Sequence, residues 1–198
     1  MRVIAGNARG LRLAVPKRGV RPTMDRVKAA IFSSLGDAIV GARVLDLFAG
    51  SGALGIEALS RGASSVLFVE EDRQSAEVIE KNLAKTRLEA RIRHQDVFDF
   101  LGISSGIAKF QIIFADPPYE KTKSGERFTE KLLANETLPR LLNRDGIFVL
   151  EKRPGEALPE TKVWRVVRQR TYGTTEVLFL SAINASPTPT NPQSTIHQ

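Results

Sequence analysis

The sequence predicts an α/β protein: a mostly parallel sheet with helices on both faces, closed by a β-hairpin. Three observations predict it. From residue 43 onward, short apolar runs alternate with segments of helical periodicity. A glycine-rich loop, "AGSGALG", joins the first such run to the first helix. The chain then ends its patterned part with two β-rich runs, "KVWRVVRQR" and "TEVLFL", joined by "TYGT".

The elements follow in order. "RPTMDRVKAAIFSSL" (21–35) reads as a helix, with Thr23 as N-cap, Asp25 in the first turn and Val27, Ile31 and Leu35 on one apolar face. "RVLDLF" (43–48) is the first strand, and the helix after the glycine loop runs to about Arg61, with Gly62 placed to cap it. "VLFVE" (66–70) is the second strand. Asp72 can cap the next helix, whose face is Ala76, Ile79 and Leu83. "ARIRHQD" (90–96) is a weaker third strand. "QIIFA" (111–115) is apolar on both faces, which suits a central parallel strand. A helix is expected from about Arg127 to Leu142, broken near Pro139, and then a fifth strand, "GIFVLEK" (146–152). Residues 1–36 form a basic arm and helix packing on the core, 37–183 the main domain, and 184–198 a Pro/Ser/Thr-rich tail without core pattern, expected to be disordered.

Composition narrows the function. The 198 residues carry a net charge of +7, and residues 1–28 hold eight bases against one acid, while the remainder is balanced. The whole excess therefore sits at the N-terminus, as expected of an arm that binds a polyanion, nucleic acid first. There is no cysteine, so disulfides, thiolate zinc sites and iron–sulfur clusters are excluded, and only two histidines, so no metal site is expected. No run approaches the roughly 18 apolar residues of a membrane span, and no signal peptide is evident, so cytoplasmic residence is expected.

Gly50, Gly52 and Gly55 spell the dinucleotide fingerprint GxGxxG, with Glu70 about 20 residues on. Asp46 argues against a pyrophosphate, because that group needs a positive helix end without a nearby carboxylate. An acid there suits a cationic ligand such as the ammonium and sulfonium of S-adenosylmethionine (SAM). Glu70 can accept from two ribose hydroxyls, and Asp96 from an adenine amino group. "FADPPY" (114–119) ends the fourth strand with an acid, two rigid prolines and an aromatic ring. Asp116 and the Pro117 carbonyl can each accept an N–H from an exocyclic amino group, held rigid where preorganisation helps, while Tyr119 offers a stacking face. These groups suit methyl transfer to an amino nitrogen. His94, Trp164 and Phe179 read as surface or packing residues, and Lys121, Lys123 and Arg127 as a basic lip or a plain solvated loop.

These motifs resemble the class I SAM-dependent methyltransferases of amino nitrogens: "LDLFAGSGALGIEALSRGA" their first motif, "VEED" their second and "DPPY" their catalytic one. "MRVIAGNARGLRL" with "VRPTMDRVKAAIF", and the closing "RTYGTTEVLFL", resemble the RsmD family, which methylates a guanine N2 in bacterial 16S rRNA. The resemblance covers residues 1 to about 182. It implies a Rossmann-like, seven-stranded sheet with one antiparallel strand, and an arm lying over the SAM site. It implies SAM contacts at Asp46, Gly50, Gly52, Glu70 and Asp96, base contacts at Asp116 and Tyr119, and an arm motif at Arg21, Thr23 and Arg26; Phe48 is expected to join the cofactor contacts, Pro117 the base contacts, and Arg9, Arg12, Lys17 and Arg18 of the basic block the RNA contacts made by Arg21 and Arg26. Arg26 could equally pair with a core carboxylate. A monomer acting on 16S rRNA or the small subunit is expected. An adenine-N6 methyltransferase and a non-catalytic RNA-binding assembly factor stay open as alternatives.

Overall fold

The computed structural model describes residues 1–16, 25–104, 109–118 and 127–183. Seven strands form one sheet in the order β3-β2-β1-β4-β5-β7-β6. They are β1 (Arg43–Leu47), β2 (Ser65–Glu70), β3 (Arg91–His94), β4 (Phe110–Ala115), β5 (Leu142–Lys152), β6 (Trp164–Tyr172) and β7 (Thr175–Ala182). All neighbours from β3 through β5 pair in parallel, and β7 is antiparallel to both β5 and β6. Only β7 therefore runs against the others, as the resemblance implies. The order reverses at β1, which lies between β2 and β4.

Two apolar layers sandwich the sheet. On one face, α1 (Asp25–Leu35), α2 (Ala53–Ser60) and α3 (Arg73–Thr86) pack with the N-terminal segment against Val44, Phe68, Phe114 and Val149. On the other, α4 (Val97–Ile103) and α5 (Phe128–Ala134) cover Leu45, Leu47, Ile113 and Leu150. The expected α1 face is buried at Val27, Ile31 and Leu35, joined by Phe32 and by Lys28. Each fully buried apolar side chain of that kind contributes about 1.5–3 kcal/mol. Its expected N-cap, Thr23, lies outside the described residues. Asp72 caps α3 by accepting from Ser75 N at 2.8 Å, and Gly62 follows α2 with φ 96°, both as the sequence predicts.

Several boundaries differ from the sequence expectation. Asp96 does not end β3; the strand stops at His94 and Asp96 instead caps α4, a helix the sequence reading left out. The helix expected from 127 to 142 stops at Ala134, because Asn135 Oδ1 takes the amides of Thr137 and Leu138 and Pro139 opens a 3-10 turn. That frees Leu142 to start β5 four residues early, with a bulge against β4 between Phe110 and Ile112. In the closing hairpin, Thr171 and Tyr172 belong to β6, so the turn is only Gly173-Thr174, with Gly173 at φ 59°.

The basic N-terminus is stitched to the core. Residues 1–13 fold back on themselves, with Val3 N donating to Leu11 O and Gly10 N to Val3 O. Ile4 N and Ala5 N donate to the two oxygens of Glu57, at 2.7 and 3.0 Å. Ala8 N donates to Ser60 Oγ, and Asn82 of α3 exchanges bonds with the backbone of Ala14. Gly6 has φ 80°, and a Cβ there would stand 1.7 Å from Ser60 O, so this close approach requires glycine. Glu57 is fully buried and also binds Lys28 Nζ at 3.3 Å and Arg61 Nε at 2.7 Å. The base of the "RPTMDRVK" stretch that meets a core carboxylate is thus Lys28; Arg26 is exposed. Burial lowers the Lys28 pKa, and the Glu57 charge opposes that shift.

Candidate active site at the switch point

The site lies at the carboxyl end of the sheet, where β1 and β4 part. Asp46, in β1, is 2% exposed, and its Oδ2 accepts from Gly55 N at 2.8 Å. Its carboxylate therefore occupies an amide in the first turn of α2, where a pyrophosphate would otherwise bind. That counts against the dinucleotide reading of the glycine loop. Gly55 serves packing: a Cβ there would lie 2.3 Å from the Phe68 ring. Burial pushes the Asp46 carboxyl well above its usual range; the Gly55 N–H opposes this, and the Asp116 and Glu70 charges add to it.

Glu70 ends β2 and ties the loop in place. Its Oε2 accepts from Gly50 N at 2.7 Å and its Oε1 from Asp72 N at 2.8 Å. Each carboxylate oxygen has a further lone pair, so these bonds leave acceptor capacity for ligand hydroxyls. Gly50 and Gly52 take φ of 54° and 76°. Phe48 is bent to φ 56°, a conformation uncommon for a side chain of its size. Its ring meets Phe98 at 6.2 Å and Phe128 at 5.4 Å. Asp96 is committed on one oxygen, since Oδ1 accepts from Phe98 N and Asp99 N to cap α4.

Asp116 follows β4 directly and is half-buried; Pro117 is buried and Pro118 exposed. A recess beside them is lined by Pro117, Pro118, Phe128, Thr129, Glu151 and Lys152 among others. Side-chain alternation puts Asp46, Phe114 and Val149 on one sheet face. The charges of both Asp116 and Asp46 raise the Glu151 carboxyl, after burial as the larger cause. So three acids share one end of the sheet.

The structure brings together Asp46, Phe48, Gly50, Gly52 and Glu70 around the loop, with Asp96 at the head of α4, and Asp116 and Pro117 at the adjacent strand. Tyr119, Lys17, Arg18, Arg21, Lys121 and Lys123 lie outside the described residues. Arg9 and Arg12 are exposed on the N-terminal segment. Arg127 pairs with Glu130 at 2.5 Å. His94 is exposed and bonds Glu71 O, while Trp164 and Phe179 are buried packing residues. Sequence reasoning missed Glu57, Phe98, Phe128 and Glu151; only Glu151 had a readable signal, an acid closing an apolar strand.

The family model described as "Conserved hypothetical protein 95" matches residues 1–181. The chain belongs to this family. Within reach of it stand curated relatives. A "Putative rRNA methyltransferase YlbH" of Bacillus subtilis is 40% identical over 185 residues, covering 89% of this chain and 96% of that protein. The "Ribosomal RNA small subunit methyltransferase D" of Haemophilus influenzae is 34% identical, covering 87% of this chain and 89% of the relative. A solved "Putative methyltransferase yhhF from Escherichia coli" superposes with a TM-score of 0.76 at 34% identity, over 92% of this chain and 97% of that one. The resemblance to the RsmD family that the motifs carry is thereby borne out, as is the methyltransferase fold.

SAM fits the residues present. A buried carboxylate at Asp46, raised by burial and by two neighbouring acids, is an electrostatic deficit that a cationic ligand would relieve. Among the described residues no group of acids or histidines could hold a metal ion, and no helix is long and apolar enough to cross a membrane.

Proposed function

We propose that this enzyme transfers the methyl group of SAM to the exocyclic N2 of a guanine in 16S rRNA. The observation that carries the reading is the Asp116–Pro117–Pro118 turn, set directly across the switch point from the acid-lined glycine loop. Relatives named for the small-subunit RNA support the substrate. In this reading Asp46, Phe48, Gly50 and Gly52 hold the methionine end of SAM, Glu70 the ribose and Asp96, through its uncommitted oxygen, the adenine. Bound SAM supplies a methyl group activated by the positive sulfonium. Asp116 and the Pro117 carbonyl accept the two N–H groups of the target amine and turn its lone pair outward. Because both acceptors are fixed beforehand, little reorganisation accompanies reaction. Tyr119 stacks on the base.

Arg9, Arg12, Lys17, Arg18, Arg21 and Arg26 hold RNA phosphates. Their base is firm, since Glu57, Ser60 and Asn82 anchor the segment carrying Arg9 and Arg12. The enzyme works as a cytoplasmic monomer. The test is incubation of unmodified small-subunit RNA, and of small subunits, with methyl-labelled SAM. Label in the RNA, lost in Asp116→Ala with SAM binding retained, is expected. A wild-type enzyme that binds SAM but labels neither substrate would overturn the proposal.

A further inference from the structure

The recess beside Pro117 and Pro118 has the acid Glu151 in its wall. Glu151 lies near the end of β5 and is 2% exposed. Its Oε1 is buried and meets no hydrogen-bond partner among the described residues. Leaving such an oxygen unmatched costs about 1–3 kcal/mol, more if it is charged, and native folds keep few such groups. The adjacent ammonium does not compensate. Lys152 Nζ is held by Glu176 Oε2 at 3.1 Å and by Arg153 O at 2.8 Å. Register explains why the acid stands here: Ala115 pairs with Leu150, so Asp116 and Glu151 follow side by side on neighbouring parallel strands. The described residues make no use of the orphaned oxygen.

We infer that Glu151 Oε1 accepts a ring N–H of the target base and thereby selects guanine. The inference rests on the guanine-N2 reading above. Guanine carries two donors side by side, the N2 amino group and N1–H. With the amino group at Asp116, N1–H is the next donor along the same edge, and Glu151 is the next acceptor along the same sheet end. A purine with a bare N1 sets a lone pair against that oxygen when the acid is ionised. Lys152 already gives two of its three ammonium protons to Glu176 and Arg153. A buried group left facing another acceptor is the kind of mismatch by which sites reject analogues strongly.

The probe is 2-aminopurine, which keeps the N2 amino group but has a bare N1. Once the methylated position is mapped, small-subunit RNA is assembled by ligation with either guanine or 2-aminopurine there. Wild type should prefer guanine in kcat/KM by at least about 100-fold. Glu151→Gln is nearly isosteric, and its amide can donate to a bare N1. It should keep SAM affinity, lower kcat/KM on guanine by about 10-fold, and narrow the preference to within about 10-fold. Glu151→Ala should lose the preference as well. A preference unchanged in both variants would overturn the inference, with guanine methylation itself intact. Loss of SAM binding in Glu151→Gln would overturn it too, since the acid would then be holding the fold or the cofactor. Methylation by wild type of a base other than guanine would instead defeat the functional reading on which the inference depends.

Discussion

Replacing Glu57 by Gln should cost far more stability than replacing its partner Lys28 by Met. Glu57 gathers four donors: Lys28 Nζ, Arg61 Nε, Ile4 N and Ala5 N. Gln offers one acceptor oxygen and turns an NH2 toward donors. It also strands the fully buried Lys28 ammonium, and breaking a buried pair from one side costs about 3–5 kcal/mol. In Lys28→Met, Glu57 keeps three donors, and the main loss is the 2.6 Å bond from Nζ to Arg2 O. That bond is worth about 1 kcal/mol, and removing the ammonium also removes its desolvation penalty. At about 2–4 °C per kcal/mol for a domain of this size, Glu57→Gln should melt roughly 6–20 °C lower and Lys28→Met only a few degrees lower. Urea and thermal unfolding measure both. Hydrogen exchange adds a local readout: the Ile4 and Ala5 amides should lose protection in Glu57→Gln and keep it in Lys28→Met. Equal costs, or a Glu57→Gln protein with those amides still protected, would refute the reasoning.

Asp46 predicts a pH dependence. Its folded pKa is raised above the unfolded value, so between the two values the ligand-free folded protein binds more protons than the unfolded chain, and stability falls as pH rises. A bound cation favours the ionised carboxylate, so the SAM-induced rise in Tm should grow with pH across that window and flatten in Asp46→Asn; melts at a series of pH values with and without SAM check this. Gly6→Ala should destabilise by about 3 kcal/mol, because its Cβ meets the Ser60 carbonyl, and should expose the N-terminal segment to protease. Replacing Arg9, Arg12, Lys17 and Arg18 together by Ala should flatten the log–log salt dependence of RNA affinity by up to about 3 units and leave SAM affinity unchanged. Titrations at several salt concentrations test it, and an unchanged slope would mean those bases are merely solvated.

The sheet was legible wherever periodicity and punctuation agreed. Asp72, Gly62 and the Ile79–Leu83 face announced α3 and the end of α2, and "QIIFA" announced a central strand. Boundaries failed where a single side chain outweighed the pattern. Asn135 stops α5 by taking two backbone amides, and Asp96 looked like a strand end because its role as a cap depends on α4, whose apolar spacing is only seven residues long. The loop acids and the proline turn were readable because their chemistry is local in sequence. Glu57 was not, since its four partners come from residues 4, 5, 28 and 61. Counting Lys28 with the basic arm was natural from sequence, but its charge is spent inside the fold.

The central claim is that the acid of the proline turn presents a guanine amino group to SAM. The most direct measurement is to digest RNA methylated by wild type and by Asp116→Ala and to identify the modified nucleoside by mass spectrometry. N2-methylguanosine at one position of the small-subunit RNA, made by wild type and absent with Asp116→Ala, is the expected result. N6-methyladenosine, or N2-methylguanosine formed at a wild-type rate by the Asp116→Ala protein, would contradict it.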